Sequence, residues 1–190
     1  MHKLAIFASG TGSNAQKIID YFRGHPFVEV SLIVSNKPTA GVLNIAGQEL
    51  IPALILERDK FFSPDAYASF LREVGISFIA LAGFLWKVPE ALINAYPHRI
   101  INIHPALLPK YGGKGMYGSA VHRAILKAGE PESGITIHYV DDQYDHGQPI
   151  LQVKCPVEAG DTPETLAGRI HALEHYHYPR TIEKLLAATL

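Results

Sequence analysis

The sequence predicts an α/β fold: a single domain with a parallel first half, a mixed-sheet second half and a long C-terminal helix. Two observations carry this. Short apolar runs at 4–8, 28–34, 51–56 and 76–82 alternate with stretches of helical spacing. Continuous apolar strands between helices are the pattern of a parallel sheet covered on both faces. In the second half, the runs at 135–140 and 149–153 are joined by the acidic stretch 141–147 with no helix between them. That reads as a hairpin, and an antiparallel hairpin makes the sheet mixed.

The elements follow in order. The run at 4–8 ends on Ser9-Gly10, a strand entering a turn. Ser13 stands where a helix cap belongs, with Gln16 at the matching capping-box position. Ala15, Ile18, Ile19 and Phe22 recur at helical spacing, and Gly24 and Pro26 close that helix. A second strand spans 28–34, a second helix 42–50 and a third strand 51–56. Residues 65–74 read as a helix, with Pro64 near its start and Gly75 at its end. After the run at 76–82, residues 100–103 form a very short strand running into His104-Pro105. The glycine-rich 110–118 reads as a loop and 119–127 as a helix. The last helix starts with Thr162 as cap and Pro163 in first position, and Pro179 should kink or split it.

Composition bounds the function. With 190 residues the chain can bury a full core without disulfides. Its one cysteine, Cys155, allows none within the chain and reads as a buried residue near a strand end. The net charge of −1 and the lack of a basic run give nucleic-acid binding little support. No run approaches a membrane span and the start has no signal-peptide layout, so cytoplasmic residence is the expectation.

Two places carry chemistry. Ser9-Gly10-Thr11-Gly12-Ser13-Asn14 sits at a strand-to-helix junction. Free N–H groups and partial positive charge at a helix start suit a phosphate, although a plain tight turn has the same look. The dinucleotide fingerprint is incomplete: Ala15 holds the third glycine's place, and Ser35-Asn36-Lys37 follows the second strand instead of an acid. Asn102 and His104 lie two apart on an extended segment and so face one side. An amide and an imidazole aimed at one point can hold a carbonyl and the negative oxygen it becomes when attacked. A structural Asn–His pair at a strand end is the alternative. Asp145 could orient the imidazole, but Asp141 and Asp142 compete, and all three suit a solvated turn. His104, His122, His138 and His146 have no short metal-ligand spacing, and His171, Glu174 and His175 are in the wrong order for a zinc protease. No metal is expected.

The blocks 7–14, 35–37, 81–84, 101–111, 138–147, 149–152 and 174–175 resemble the phosphoribosylglycinamide formyltransferase family, among the folate-dependent formyltransferases. The likeness runs in order along nearly the whole chain. It implies a Rossmann-like first half, with residues 1–100 as the phosphoribosyl-binding half and 101–190 as the catalytic and folate-binding half. It implies formyl transfer from 10-formyltetrahydrofolate, the co-substrate, to the amine of glycinamide ribonucleotide in purine synthesis. Asn102, His104 and Asp145 match the catalytic set, with His104 protonated. Gly12, Ser13, Asn14 and Glu174 match the acceptor contacts. Leu85, Trp86, Lys87, Val88 and Asn102 match the folate contacts. Small-molecule partners are implied, with no nucleic acid and no membrane, in a monomer or homodimer.

The chain departs from that pattern in three places. Trp86 and Pro64 stand where many members have arginine, which puts two folate contacts in doubt. Residues 112–119 replace a Pro-Gly and a close histidine pair, of which only His122 is retained. A formyltetrahydrofolate hydrolase resembles the same set with water as acceptor. It usually adds an N-terminal regulatory domain, against which a first strand starting at Leu4 argues. A methionyl-tRNA formyltransferase would add a C-terminal domain and positive surface. The non-enzyme alternative is a small-molecule sensor module.

Overall fold

The computed structural model describes residues 1–189. The first apolar run becomes β1 (His2–Phe7), followed by α1 (Ser13–Phe22), β2 (Val28–Ser35), α2 (Gly41–Gln48) and β3 (Ala53–Ile55). Next come α3 (Arg58–Phe61), α4 (Ala68–Glu73), β4 (Phe78–Leu81), α5 (Glu90–Ala95) and β5 (Ile100–His104). The second half holds α6 (Ser119–Ala128), β6 (Glu132–Tyr139), β7 (Pro149–Pro156) and α7 (Pro163–Ala187).

All seven strands join one sheet in the order β3-β2-β1-β4-β5-β6-β7. The pairings from β3 to β5 are parallel, and β6 runs antiparallel to both β5 and β7. The mixed single-domain α/β architecture read from the sequence is the one that forms. Alternate residues of β1 feed opposite faces, as a pleated strand requires. Leu4 and Ile6 join one core, where α1, α2, α6 and α7 pack, and Ala5 and Phe7 join the other, with α3, α4 and α5. The sheet order reverses at β1, which pairs with both β2 and β4. A crevice at the carboxyl ends of those strands is the usual ligand position in such a sheet.

Several boundaries differ from expectation. Ser13 is not the cap of α1. Gly12 takes that position at φ 87, Ser13 is the first helical residue, and no side chain caps the helix. A Cβ on Gly12 would lie 2.8 Å from Ile45 Cδ1 and 2.9 Å from Val42 Cβ, so α2 packs where a side chain would be. Gln16, freed from any capping role, bonds Asp20 and Glu49. The helix read at 65–74 begins only at Ala68, because Ala66 and Tyr67 adopt positive φ of 46° and 62°. Asp65 instead accepts from the Ser69 backbone N–H at 3.2 Å. Two short helices, α3 and α5, were not foreseen, and β6 and β7 extend beyond the apolar runs that marked them.

Pro179 does not split the last helix, which runs from Pro163 to Ala187. The lost hydrogen bond is offset by anchoring on both sides of it. Tyr178 is fully enclosed, with its hydroxyl 2.8 Å from the Leu81 carbonyl and 3.2 Å from that of Ile101, and Thr181 and Ile182 are buried. At the other end Thr162 caps the helix as expected, in a reciprocal box with Thr165. Cys155 is buried on β7, and burial pushes its thiol up. Among the described residues no helix is long and apolar enough to cross a membrane.

The β6–β7 connection is sterically exacting. A Cβ at Gly147 would run into the Tyr139 carbonyl oxygen, a backbone atom that cannot swing aside. Gly147→Ala is expected to destabilise the fold by about 3 kcal/mol, at the upper end for overpacking. Urea titration checks this, and an unchanged midpoint would contradict it.

Candidate active site

A cavity of about 610 Å³ opens at the crevice beside β1 and β4. The turn 12–14, the loop 85–88, Asn102, His104, Asp145 and Glu174 all line it. One place therefore gathers every site residue named from the sequence.

The turn after β1 makes the first wall. Because Gly12 holds the cap position without a side-chain cap, the opening N–H groups of α1 keep their donors free of any such partner. Asn14 Nδ2 donates to Glu174 Oε2 at 2.9 Å, which ties α1 to α7. Glu174 is only 5% exposed. Burial pushes its carboxyl up, opposed by the Asn14 bond and by His171. The Ser9 hydroxyl donates to Asn36 Oδ1 at 2.5 Å and accepts from the Leu85 N–H at 2.9 Å. It thus locks the turn to the next loop.

That loop, after β4, makes the second wall. Gly83 turns the chain at φ 75, and Trp86 then packs at 5.7 Å on the rings of both Phe61 and Phe62. The Arg58 guanidinium stands 5.5 Å over the Trp86 ring. Lys87 is exposed, while Val88 is buried in the second core and acts there more as a wedge than as a surface.

The third wall is polar and connected. Asn102 Nδ2 donates to His138 Nε2 at 3.1 Å and to Asp145 Oδ1 at 3.3 Å. His138 Nδ1 lies 2.8 Å from the Tyr139 carbonyl, so the proton sits there and Nε2 is free to accept. His104 Nε2 donates to the Tyr111 carbonyl at 2.8 Å, and its Nδ1 lies 3.5 Å from Asp145 Oδ2. Asp145 Oδ2 also accepts from the Gly113 N–H at 2.9 Å. The glycine segment 112–118 is therefore docked on Asp145 through Gly113. A Cβ on Gly112 would lie 2.5 Å from Leu108 Cδ2 and 3.2 Å from Asp145 Cβ, so both side chains would have to give way.

The charges follow from these contacts. Burial holds the His104 imidazole below its ordinary range, although Asp145 and the Tyr111 carbonyl pull the other way. Burial thus favours the neutral ring in the free cleft, so a protonated His104 would have to gain its proton during the reaction. Asp145 is pushed up by burial, but the His138 and His104 rings beside it and the bond from the Gly113 N–H outweigh that and keep it below the usual carboxylate range. The competition among the acids is also resolved. Asp141 is engaged by His146 Nδ1 at 2.8 Å and by the Gln143 N–H, and Asp142 is exposed. Among the described residues no group of three His, Cys, Asp or Glu is placed to hold a metal.

Sequence reading gave His138 no role here. Register puts it directly opposite Asn102 across β5 and β6. Only the pairing of the two strands reveals that, since 36 residues separate them in sequence.

Comparison with known proteins shows the family. Residues 2–182 match the family model described as formyl transferase. A chloroplastic phosphoribosylglycinamide formyltransferase of Arabidopsis thaliana is 43% identical over 95% of this chain and 64% of that protein. The chain spans just under two thirds of that plant relative. The phosphoribosylglycinamide formyltransferase of Bacillus subtilis is 38% identical over 98% of this chain and 95% of its own length. The solved structure of phosphoribosylglycinamide formyltransferase from Bacillus halodurans superposes with a TM-score of 0.88 at 38% identity, covering 99% of this chain and 97% of that one.

Proposed function

Since the chain belongs to the formyl transferase family, we propose that it transfers the formyl group of 10-formyltetrahydrofolate to the amine of glycinamide ribonucleotide. The observation that supports this most is the shared cavity. An amide–imidazole–carboxylate group lines the same cavity as a helix start suited to a phosphate.

In this reading residues 12–14 hold the acceptor phosphate and Glu174 contacts the acceptor beside it. Residues 85–88 and Asn102 hold the folate. The first half then supplies the phosphate site and the second half the reacting groups, with the loop 85–88 carrying folate contacts across that division. One chain provides all of these, whether it works as a monomer or a homodimer. Both substrates dissolve in water, and we place the reaction in the cytoplasm.

The chemistry uses donors that already have partners. Asn102 is held by His138 and Asp145, and His104 by the Tyr111 carbonyl. As the amine attacks the formyl carbon, the carbonyl oxygen becomes negative, and each donor exchanges one protein partner for it. His104 becomes imidazolium as that charge grows, and the Asp145 carboxylate beside Nδ1 stabilises it. The new C–N bond replaces the one to folate. The amine proton leaves and the folate nitrogen gains one, relayed by His104 or water.

A hydrolase would share these reacting groups but would have no use for a phosphate site. Absorbance measured with 10-formyltetrahydrofolate, with and without glycinamide ribonucleotide, tests the reading. Consumption that requires the amine is expected, and equal consumption without it would contradict transfer. Asn14→Ala is expected to raise the KM for glycinamide ribonucleotide about tenfold, the scale of one hydrogen bond to a charged group. Equal loss with an acceptor lacking the phosphate would count against the phosphate assignment.

A further inference from the structure

Among the described residues, four enclosed side-chain atoms lack any hydrogen-bond partner: His25 Nδ1, His122 Nδ1, Ser133 Oγ and His175 Nε2. Only His122 of these residues lines the cavity. It sits on α6, is 2% exposed, and takes part in no hydrogen bond or ion pair with another protein group. Leaving a buried ring nitrogen unpaired is costly, and an apolar side chain of the same size would fill the space better. The packing alone gives no reason for an imidazole here.

Its position supplies one. His122 lies within electrostatic reach of both His104, at the reacting wall, and His171, one helical turn before Glu174 on α7. All three line the same cavity. Burial favours the neutral ring, which has a single proton to donate. A proton on the enclosed Nδ1 would have no acceptor, so the ring donates through Nε2. In the function proposed above, the acceptor carries its phosphate at one end, its amine at the other, and hydroxyl-bearing ribose between them.

We propose that His122 is a further specificity residue, bonding a ribose hydroxyl of the phosphorylated amine within the cleft. The proposal rests on that reading of function, and its test separates the two. His122→Phe is expected to raise the KM for glycinamide ribonucleotide about tenfold. The KM for 10-formyltetrahydrofolate and kcat should stay within about twofold, and the melting temperature should hold or rise because an unpaired polar group has gone. His122→Gln, which keeps a donor, should recover most of the lost affinity. An unchanged acceptor KM, a rise in the folate KM instead, a glutamine variant as weak as the phenylalanine one, or loss of the fold in either variant would overturn the proposal. Failure of the wild-type chain to formylate glycinamide ribonucleotide would overturn the functional reading, and is read separately in the same assay.

Discussion

His104→Ala is expected to reduce kcat at least a hundredfold while leaving a folded protein. The barrier effect is that of losing a well-placed donor to a developing oxyanion, about 3 kcal/mol. The structural effect is smaller. His104 is buried and makes one hydrogen bond, to the Tyr111 carbonyl, so its removal leaves a small void and one unpaired acceptor. That is worth about 2 kcal/mol, or a fall in melting temperature of roughly 4–8 °C for a chain of this size. The two effects separate in the assay, because the proposed acceptor contacts at residues 12–14 and Glu174 are untouched. A variant with wild-type kcat would remove His104 from the chemistry.

Asp145→Asn should be nearly as damaging with almost no change of shape. Each carboxylate oxygen accepts a bond, Oδ1 from Asn102 and Oδ2 from the Gly113 N–H. An amide offers only one acceptor, so its NH₂ must face one of those donors, which loosens either Asn102 or the glycine segment. It also removes the negative charge beside His104 Nδ1. A loss of about a hundredfold or more in kcat is expected. The pH profile carries a second signature. Asp145 raises the His104 pKa against the larger lowering by burial. Without that carboxylate the imidazole protonates only at lower pH, and the acid limb of kcat/KM should move to lower pH. An acid limb that stays in place would mean the two groups are not coupled.

What could be read from the sequence was local. Apolar runs marked the strands because a buried parallel strand has to be apolar on both faces. Asn102 and His104 were readable as a pair because alternation along one strand needs no knowledge of the rest of the fold. The misreadings came from backbone conformation. Ser13 had the chemistry of a cap, but Gly12 at positive φ took the position, and the close packing of α2 that demands it is invisible in sequence. Asp145 was uncertain because its approach to His104 depends on a turn closed by Gly147 against Tyr139. The role of His138 needed strand register. The lowering of the His104 pKa needed burial, which spacing along one strand does not reveal. The glycine segment had no assigned task from sequence, and its backbone proves to be docked on Asp145 through Gly113. The acceptor and folate assignments came from resemblance, not from spacing.

The central claim is that one carbon passes directly from folate to the amine. Supplying 10-formyltetrahydrofolate with an isotopically labelled formyl carbon, together with glycinamide ribonucleotide, follows it most directly. The account predicts that the label appears on the acceptor nitrogen, one for each folate consumed. Label recovered as free formate, at the same rate whether or not the acceptor is present, would contradict it.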